Sequence, residues 1–516
     1  MQFLNNERTM VKLLNAIIGL FIGISYQHKL VSSTEAATVF QYQFPSVQID
    51  STNSLSRNEF PENFSFGLAT TNYLMGPDGR FHRGHFIGAK KNINEYSDFN
   101  SKYKEDIRLA KSLGSKMYKF SLSWSKILPN GFVNHVNQGQ LNYYDRMIDE
   151  ILANDMKPMV TLYHGELPDR IRQLGGWTNP LIIDWFVDYA QLVFMSFAYK
   201  VKFWVTVHEP TILCTLVLEN SIPNQSGIAD YLCGHHTLLA HAKAYHLYHE
   251  KFGHERGKIG ITHLYTWLEA DNPESSVDIE AVERAYQWYN NWLTHPVFSE
   301  NGDYPHLMKR IVSEKSLLAF YRSRLPSFTQ SEIDQVKGSA DFVGINFYSA
   351  SKVRGINPDP NDISFENDAA FQQTDSWPKE SWTKSTPWAL KKFLHRFNNE
   401  YLLPEIYVTQ NGFIDNGDIL DLGRCVYFRE YILEILKAMK GGVDIRGYLA
   451  WSLVDEYEWK LNNNGSSGLF HVDLKDLMLL RTNKLSTKVL AYIYKNRVVD
   501  HMTKMLGNSW LELIYS

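Results

Sequence analysis

The sequence predicts an α/β protein built as a single (β/α)8 barrel with loop insertions. Three observations predict it. Eight short apolar runs, rich in β-branched and aromatic residues, recur along the chain. Amphipathic segments of helical period lie between them. No Gly-rich phosphate loop follows the first run, which disfavours an open doubly wound sheet.

The strand-like runs, in order, are 64–70, 116–124, 157–164, 201–210, 258–264, 341–349, 405–412 and 445–453. They lack a polar alternate face, as strands covered on both sides should. Among the helical segments, 428–439 is the clearest. Phe428, Tyr431, Ile432, Ile435, Leu436 and Met439 fall on one face, with Glu430, Glu434 and Lys437 opposite. Segments 138–155, 180–198, 237–253, 386–402 and 486–498 read the same way. The long interval 265–340 reads as an insertion on a TIM barrel that spans 58–500, with a C-terminal tail at 501–516.

The beginning of the chain reads as an address. Arg8 and Lys12 precede the apolar stretch Leu13 to Ile24, too short for an ordinary membrane span but suited to a signal peptide within residues 1–25. A polar leader, 26–57, follows. The expectation is a secreted, extracellular protein with no membrane span in its mature chain. An uncleaved signal anchor is the alternative. Sequons at Asn63, Asn224 and Asn464 would be usable glycosylation sites on that route. Of the three cysteines, Cys214 and Cys233 form the more local disulfide option; three buried thiols, Cys425 included, are the other reading.

With 52 basic and 56 acidic residues the net charge is −4, and no long basic run occurs, which excludes nucleic acid as an expected partner. No His/Cys spacing makes a metal site, no nucleotide motif is present, and no cofactor is expected. His235-His236 reads as packing and surface at the head of a helix.

In such a barrel the C-terminal strand ends and the loops after them form the site. Read off the runs, these positions hold Trp124, His164, His208, Glu209, Asn346, Tyr348, Gln410 and Trp451. Indoles stack on flat apolar sugar faces, and His, Asn and Glu pair with hydroxyls, so the expected ligand is a carbohydrate. A lone strand-end Glu is ordinarily a solvated structural residue. Several such residues on different strand ends argue for a site.

Over about residues 60–498 the chain resembles glycoside hydrolase family 1. The resemblance is carried by "FSFGLATTNY", "SLSWSKILPNG", "FWVTVHEP", "DFVGINFYS", "YVTQNGF" and "GYLAWSLVDEYEW", all in the family's order. It implies retaining hydrolysis of β-glycosides. One carboxylic acid protonates the leaving oxygen, and a carboxylate about 5–5.5 Å away attacks the anomeric carbon. The resemblance places the acid/base at Glu209, in Thr206-Val207-His208-Glu209-Pro210. It places the nucleophile at Gln410, in Thr409-Gln410-Asn411-Gly412, where the family has Glu. It also implies substrate contacts from His164, His208, Asn346, Tyr348, Trp451, Glu458 and Trp459. The two tryptophans also read as core aromatics, and Glu458 as an ion-pair residue.

An amide has the size of a carboxylate but no charge to offset an oxocarbenium-like transition state, and its oxygen is a poor nucleophile. Lys119 stands where the family has Arg, Leu74 where it has a sugar-binding Gln, and His208 where it has Asn. Asp455 and Glu456 are the carboxylates near the eighth strand end, and replacing the nucleophile would require one to reach the anomeric carbon from the correct face, which is disfavoured. The expectation is a β-glucosidase-like protein with impaired hydrolysis of O-glycosyl bonds, a pseudoenzyme that binds a β-glycoside, another carbohydrate or a protein partner. The alternatives are an active β-glucosidase or transglycosidase of modified mechanism, a klotho-like non-enzymatic binding protein, and a structural relic.

Overall fold

The computed structural model describes residues 58–70, 102–217, 225–374, 385–401, 404–455, 466–472 and 480–507. Its strands are β1 (Ser65–Ala69), β2 (Met117–Ser121), β3 (Lys157–Tyr163), β4 (Phe203–His208), β5 (Lys258–Ala270), β6 (Phe342–Gly355), β7 (Phe371–Thr374), β8 (Glu405–Asn411), β9 (Ile445–Trp451), β10 (Phe470–Val472) and β11 (Arg481–Asn483). Eight of them close a parallel barrel, β1 through β6, then β8 and β9, with β9 pairing back on β1. The predicted (β/α)8 barrel is thus observed. β7 adds antiparallel to the outer end of β6.

The barrel holds two apolar layers because strand side chains alternate. Ala69, Met117, Met159, Val205, Phe342, Tyr407, Leu449 and Trp451 form the cluster inside it. The alternate residues, such as Phe66, Tyr118, Val160, Trp204, Val343 and Tyr448, belong to the outer cluster beneath the helices. Gly344 is required on the inner face, since a Cβ there would sit 2.2 Å from Thr262 Oγ1. The helix Leu422–Lys440 buries Phe428, Tyr431, Ile432, Ile435 and Leu436, the face its periodicity predicts, and Met439 is half-buried beside them.

The two ends of the described chain lock together. Phe60 N donates to Arg497 O and Val499 N to Asn58 O, both at 2.8 Å. The side chain of Arg481, wholly buried, forks onto Asp106 at 2.8 and 3.2 Å.

Several expectations need correction. The interval 265–340, read as an insertion on the barrel, is largely regular in secondary structure. β5 continues to Ala270, and helices Ser276–Ala285, His306–Ser316 and Gln330–Val336 follow. Residues 501–507, set apart as tail, pack on the barrel through Met502, Met505 and Leu506. The helix Ala229–Phe252 begins before the predicted 237, so His235 and His236 lie within it and are buried, bonded to Tyr304 OH and Trp177 O rather than at the surface. Cys214 and Cys233 form a disulfide across 5.4 Å between Cα atoms, and Cys425 is a buried thiol.

Candidate active site

Register shifts interrupt β4 between Val205 and His208, β6 beside Asn346, and β8 between Val408 and Asn411. Bulges re-aim side chains. Those in β4 and β8 lie at the C-terminal ends of their strands, and that in β6 lies before the strand runs on to Gly355; together they deliver His208, Asn346 and Gln410 to one place.

Asn346 is the hub. It is fully buried, and its Nδ2 lies 2.6 Å from Glu209 Oε1, 3.0 Å from Gln410 Oε1 and 3.3 Å from His208 Nε2. Its Oδ1 accepts from Thr409 Oγ1 at 2.8 Å, and the Glu209 carboxylate, an acceptor, fixes which end of the amide donates. Tyr348 OH gives Gln410 Oε1 a second hydrogen bond at 3.1 Å. The backbone carbonyl of Tyr348 is held by Tyr427 OH and Tyr431 OH at 2.9 and 2.6 Å, so the phenol is aimed from behind. Its ring meets Trp451 edge-on, 5.8 Å between centroids.

Glu209 follows β4 with a left-handed φ of 50°, a conformation that costs a non-glycine residue on the order of 1 kcal/mol or more. Its amide donates to Thr262 O at 2.8 Å, which carries the turn across to β5 and brings the carboxylate to Asn346. His164, just past β3, is fixed by Ser121 Oγ at 2.9 Å on its Nδ1, and its ring lies 3.9 Å from that of His208.

Lys119 points into the barrel from β2 and is 2% exposed. Its Nζ lies 3.1 Å from His208 Nδ1, and no carboxylate among the described residues stands at ion-pair distance from it. Burial lowers its pKa to about 7, with Glu209 pulling the other way.

Of the residues named from sequence, His164, His208, Glu209, Asn346, Tyr348, Gln410 and Trp451 converge at this end of the barrel. Trp124 does not. The chain turns into a short helix right after β2, and the indole stacks on Tyr189 at 4.9 Å, 1% exposed, donating to Gly131 O. Asp455 is committed elsewhere, to Lys484 at 2.7 Å and His471 at 2.9 Å. Asn63 is exposed. Leu74, Asn224, Glu456, Glu458, Trp459 and Asn464 lie outside the described residues, as do residues 1–57. Among the described residues no group of His, Cys, Asp and Glu is arranged to hold a metal ion, and no helix is long and apolar enough to cross a membrane.

Sequence reasoning missed the supports. Thr409 orients Asn346, and Ser121 orients His164. Asn411 is fully buried as the last residue of β8. Its Nδ2 donates to Phe347 O and Tyr427 OH, and its Oδ1 accepts from Tyr448 OH. Inward alternation with Tyr407 was the available signal for Thr409; nothing local marks Asn411.

A parallel eight-stranded barrel with one carboxylate, two histidines, two amides and a tyrosine gathered at its C-terminal face has the construction of a sugar-active barrel protein. The comparisons with known proteins narrow this. Residues 56–499 match Glycosyl hydrolase family 1, and the chain belongs to that family. It is 36% identical to Myrosinase 1 of Brevicoryne brassicae over 86% of this chain and 98% of that one. It is 38% identical to human lactase/phlorizin hydrolase over 77% of this chain, which spans only 21% of that much longer protein. Among solved structures, an aphid myrosinase superposes with a TM-score of 0.77 at 35% identity, covering 85% of this chain and all of that one. A mutant rice β-glucosidase in covalent complex with Glc superposes with a TM-score of 0.75 at 30% identity, over 84% and 98%.

Proposed function

We propose that this chain is a secreted family 1 protein that seats a β-glycoside at the C-terminal mouth of its barrel and hydrolyses it poorly. Glu209 holds the acid/base position and Gln410 the nucleophile position. The single observation that carries the reading is the pairing at Asn346, whose Nδ2 bridges the Glu209 carboxylate and an amide where a second carboxylate would be required. Protonating the leaving oxygen is within reach of Glu209. Attack on the anomeric carbon is not within reach of an amide oxygen already engaged by two donors. The covalent Glc complex of the rice relative supports a sugar seat with covalent chemistry in the family, and hence a specific loss here. The Cys214–Cys233 disulfide and the exposed Asn63 support passage through an oxidising secretory route.

The test is an assay of the wild type and Gln410→Glu on aryl β-glucosides and β-galactosides. The variant should exceed the wild type by at least about 100-fold in kcat, since a positioned nucleophile or charge is worth several factors of ten at about 1.4 kcal/mol each. Robust wild-type turnover that survives Gln410→Ala would overturn the reading. It would favour the second one, an altered mechanism in which Glu209 assists departure and the substrate brings its own nucleophile.

A further inference from the structure

Gln410 is more than a missing carboxylate, because its amide has a fixed direction. Asn346 Nδ2 lies 2.6 Å from a carboxylate oxygen of Glu209, so it is the donating end of that side chain. Gln410 must therefore turn its oxygen toward Asn346; the flipped amide would set N–H against N–H. Tyr348 OH takes the second lone pair of the same oxygen. Both acceptor sites of Gln410 Oε1 are then used, and its two N–H donors lie on the opposite side of the amide.

Those donors have no acceptor among the described residues, although Gln410 is only 3% exposed. Nor is Nε2 one of the polar atoms sealed unpaired in the core, so it opens onto the barrel mouth. A nearly buried N–H without a partner favours any ligand that brings an acceptor to it. We propose that this site selects sugars carrying an acceptor oxygen on the α face of C1, the α-anomer of a free aldopyranose above all, through donation from Gln410 Nε2.

The stereochemistry rests on the sugar seat proposed above. A group in the nucleophile position faces the anomeric carbon from the side opposite the leaving oxygen of a β-glycoside. A β-anomer turns only its C1–H toward that side and offers Gln410 nothing to accept. An α-anomer places O1 there. Replacing a carboxylate by a directed amide thus inverts what the floor of the site asks for, from an electrophilic carbon to an oxygen lone pair. A β-glycoside still fits, but it leaves the donors of Gln410 unanswered, so the better occupant is a reducing sugar rather than the intact glycoside.

The experiment is an NMR titration of the full-length protein with [1-13C]glucose and [1-13C]galactose, whose anomers are resolved in one sample, with 1,5-anhydroglucitol as the analogue lacking O1. The α-anomer of one of the two sugars should bind roughly tenfold more tightly than its β-anomer, a difference of about 1.4 kcal/mol. Gln410→Leu should erase the preference. Equal affinity for the anomers, a β preference, or an α preference that persists in Gln410→Leu overturns the inference while leaving the sugar seat standing. Binding of neither sugar in either form overturns the seat and this inference together. The wild-type comparison is internal, so equal affinity or a β preference overturns the inference even where the variant does not fold.

Discussion

Lys119 shows at the scale of one residue how far the centre of the barrel has shifted electrostatically. A buried ammonium is costly unless it is paired, and its side chain here meets an imidazole nitrogen instead of a carboxylate. Its pKa falls from 10.5 to about 7, so near neutrality the proton is held loosely between Lys119 and solvent. The sign follows from linkage. The unfolded chain binds more protons than the native one between pH 7 and 10.5, so stability rises with pH across that window, and the penalty is full below it. Lys119→Met should therefore stabilise the protein, and the gain at pH 6 should exceed the gain at pH 9 by about 2 kcal/mol or more. Denaturant unfolding at the two pH values measures it. A gain that does not change with pH means that Lys119 keeps its proton in the fold. The substitution was legible in the sequence as Lys for Arg; that its partner is His208 was not, because the pair is 89 residues apart.

At the scale of elements, the seam between β8 and β9 decides where Gln410 points. Gly412 follows Asn411 directly, and a Cβ on it would sit 1.9 Å from the carbonyl oxygen of Trp451, a backbone atom with nowhere to retreat. Gly412→Ala should push β9 away from β8, displace Trp451 from Tyr348, and cost about 1–3 kcal/mol as overpacking. Near-UV circular dichroism of the tryptophans together with a thermal melt checks this; an unchanged melt and spectrum would show that the seam yields. The cores of all eight barrel strands were readable because β-branched and aromatic clusters are a local signal. Their ends were not. β5 and β6 run past the barrel because Trp267 to Ala270 pair with Ala350 to Val353, a partnership between distant segments. The bulges at His208, Asn346 and Gln410 are likewise products of pairing, invisible in any window of sequence. Seven of the residues named from sequence meet at one end of the barrel because barrel topology dictates which strand ends meet, whereas Trp124 turns away into the core. The hydrogen bonds that aim each group depend on registers the sequence does not display.

For the whole molecule, the response to acid is set by histidines remote from the site. His241 and His263 are wholly buried, and burial lowers the pKa of each to about 3; His235, pressed against Phe328, falls to about 4. Each is neutral in the native state. The unfolded chain takes up their protons below its ordinary histidine pKa near 6.5, so their contribution to stability is intact above that value and drains away toward pH 3–4. At pH 5 each of the three costs about 2 kcal/mol, and together they approach the lower range of a whole domain's stability. Buried carboxylates oppose the trend: Asp421 and Glu400 have pKa values raised by burial, so the native state accepts their protons first. Carboxylates act mostly below pH 5, however, which leaves pH 5–7 to the histidines. His263→Leu should therefore lose less stability than the wild type between pH 7 and pH 5, by about 2 kcal/mol, whatever its stability at pH 7. If the two proteins lose stability in parallel over that range, His263 takes up its proton within the fold. If the variant flattens the curve as expected, the barrel is limited in acid by its outer packing layer, where His241 on the helix Ala229–Phe252 meets Thr206 of β4 and His263 lies on β5.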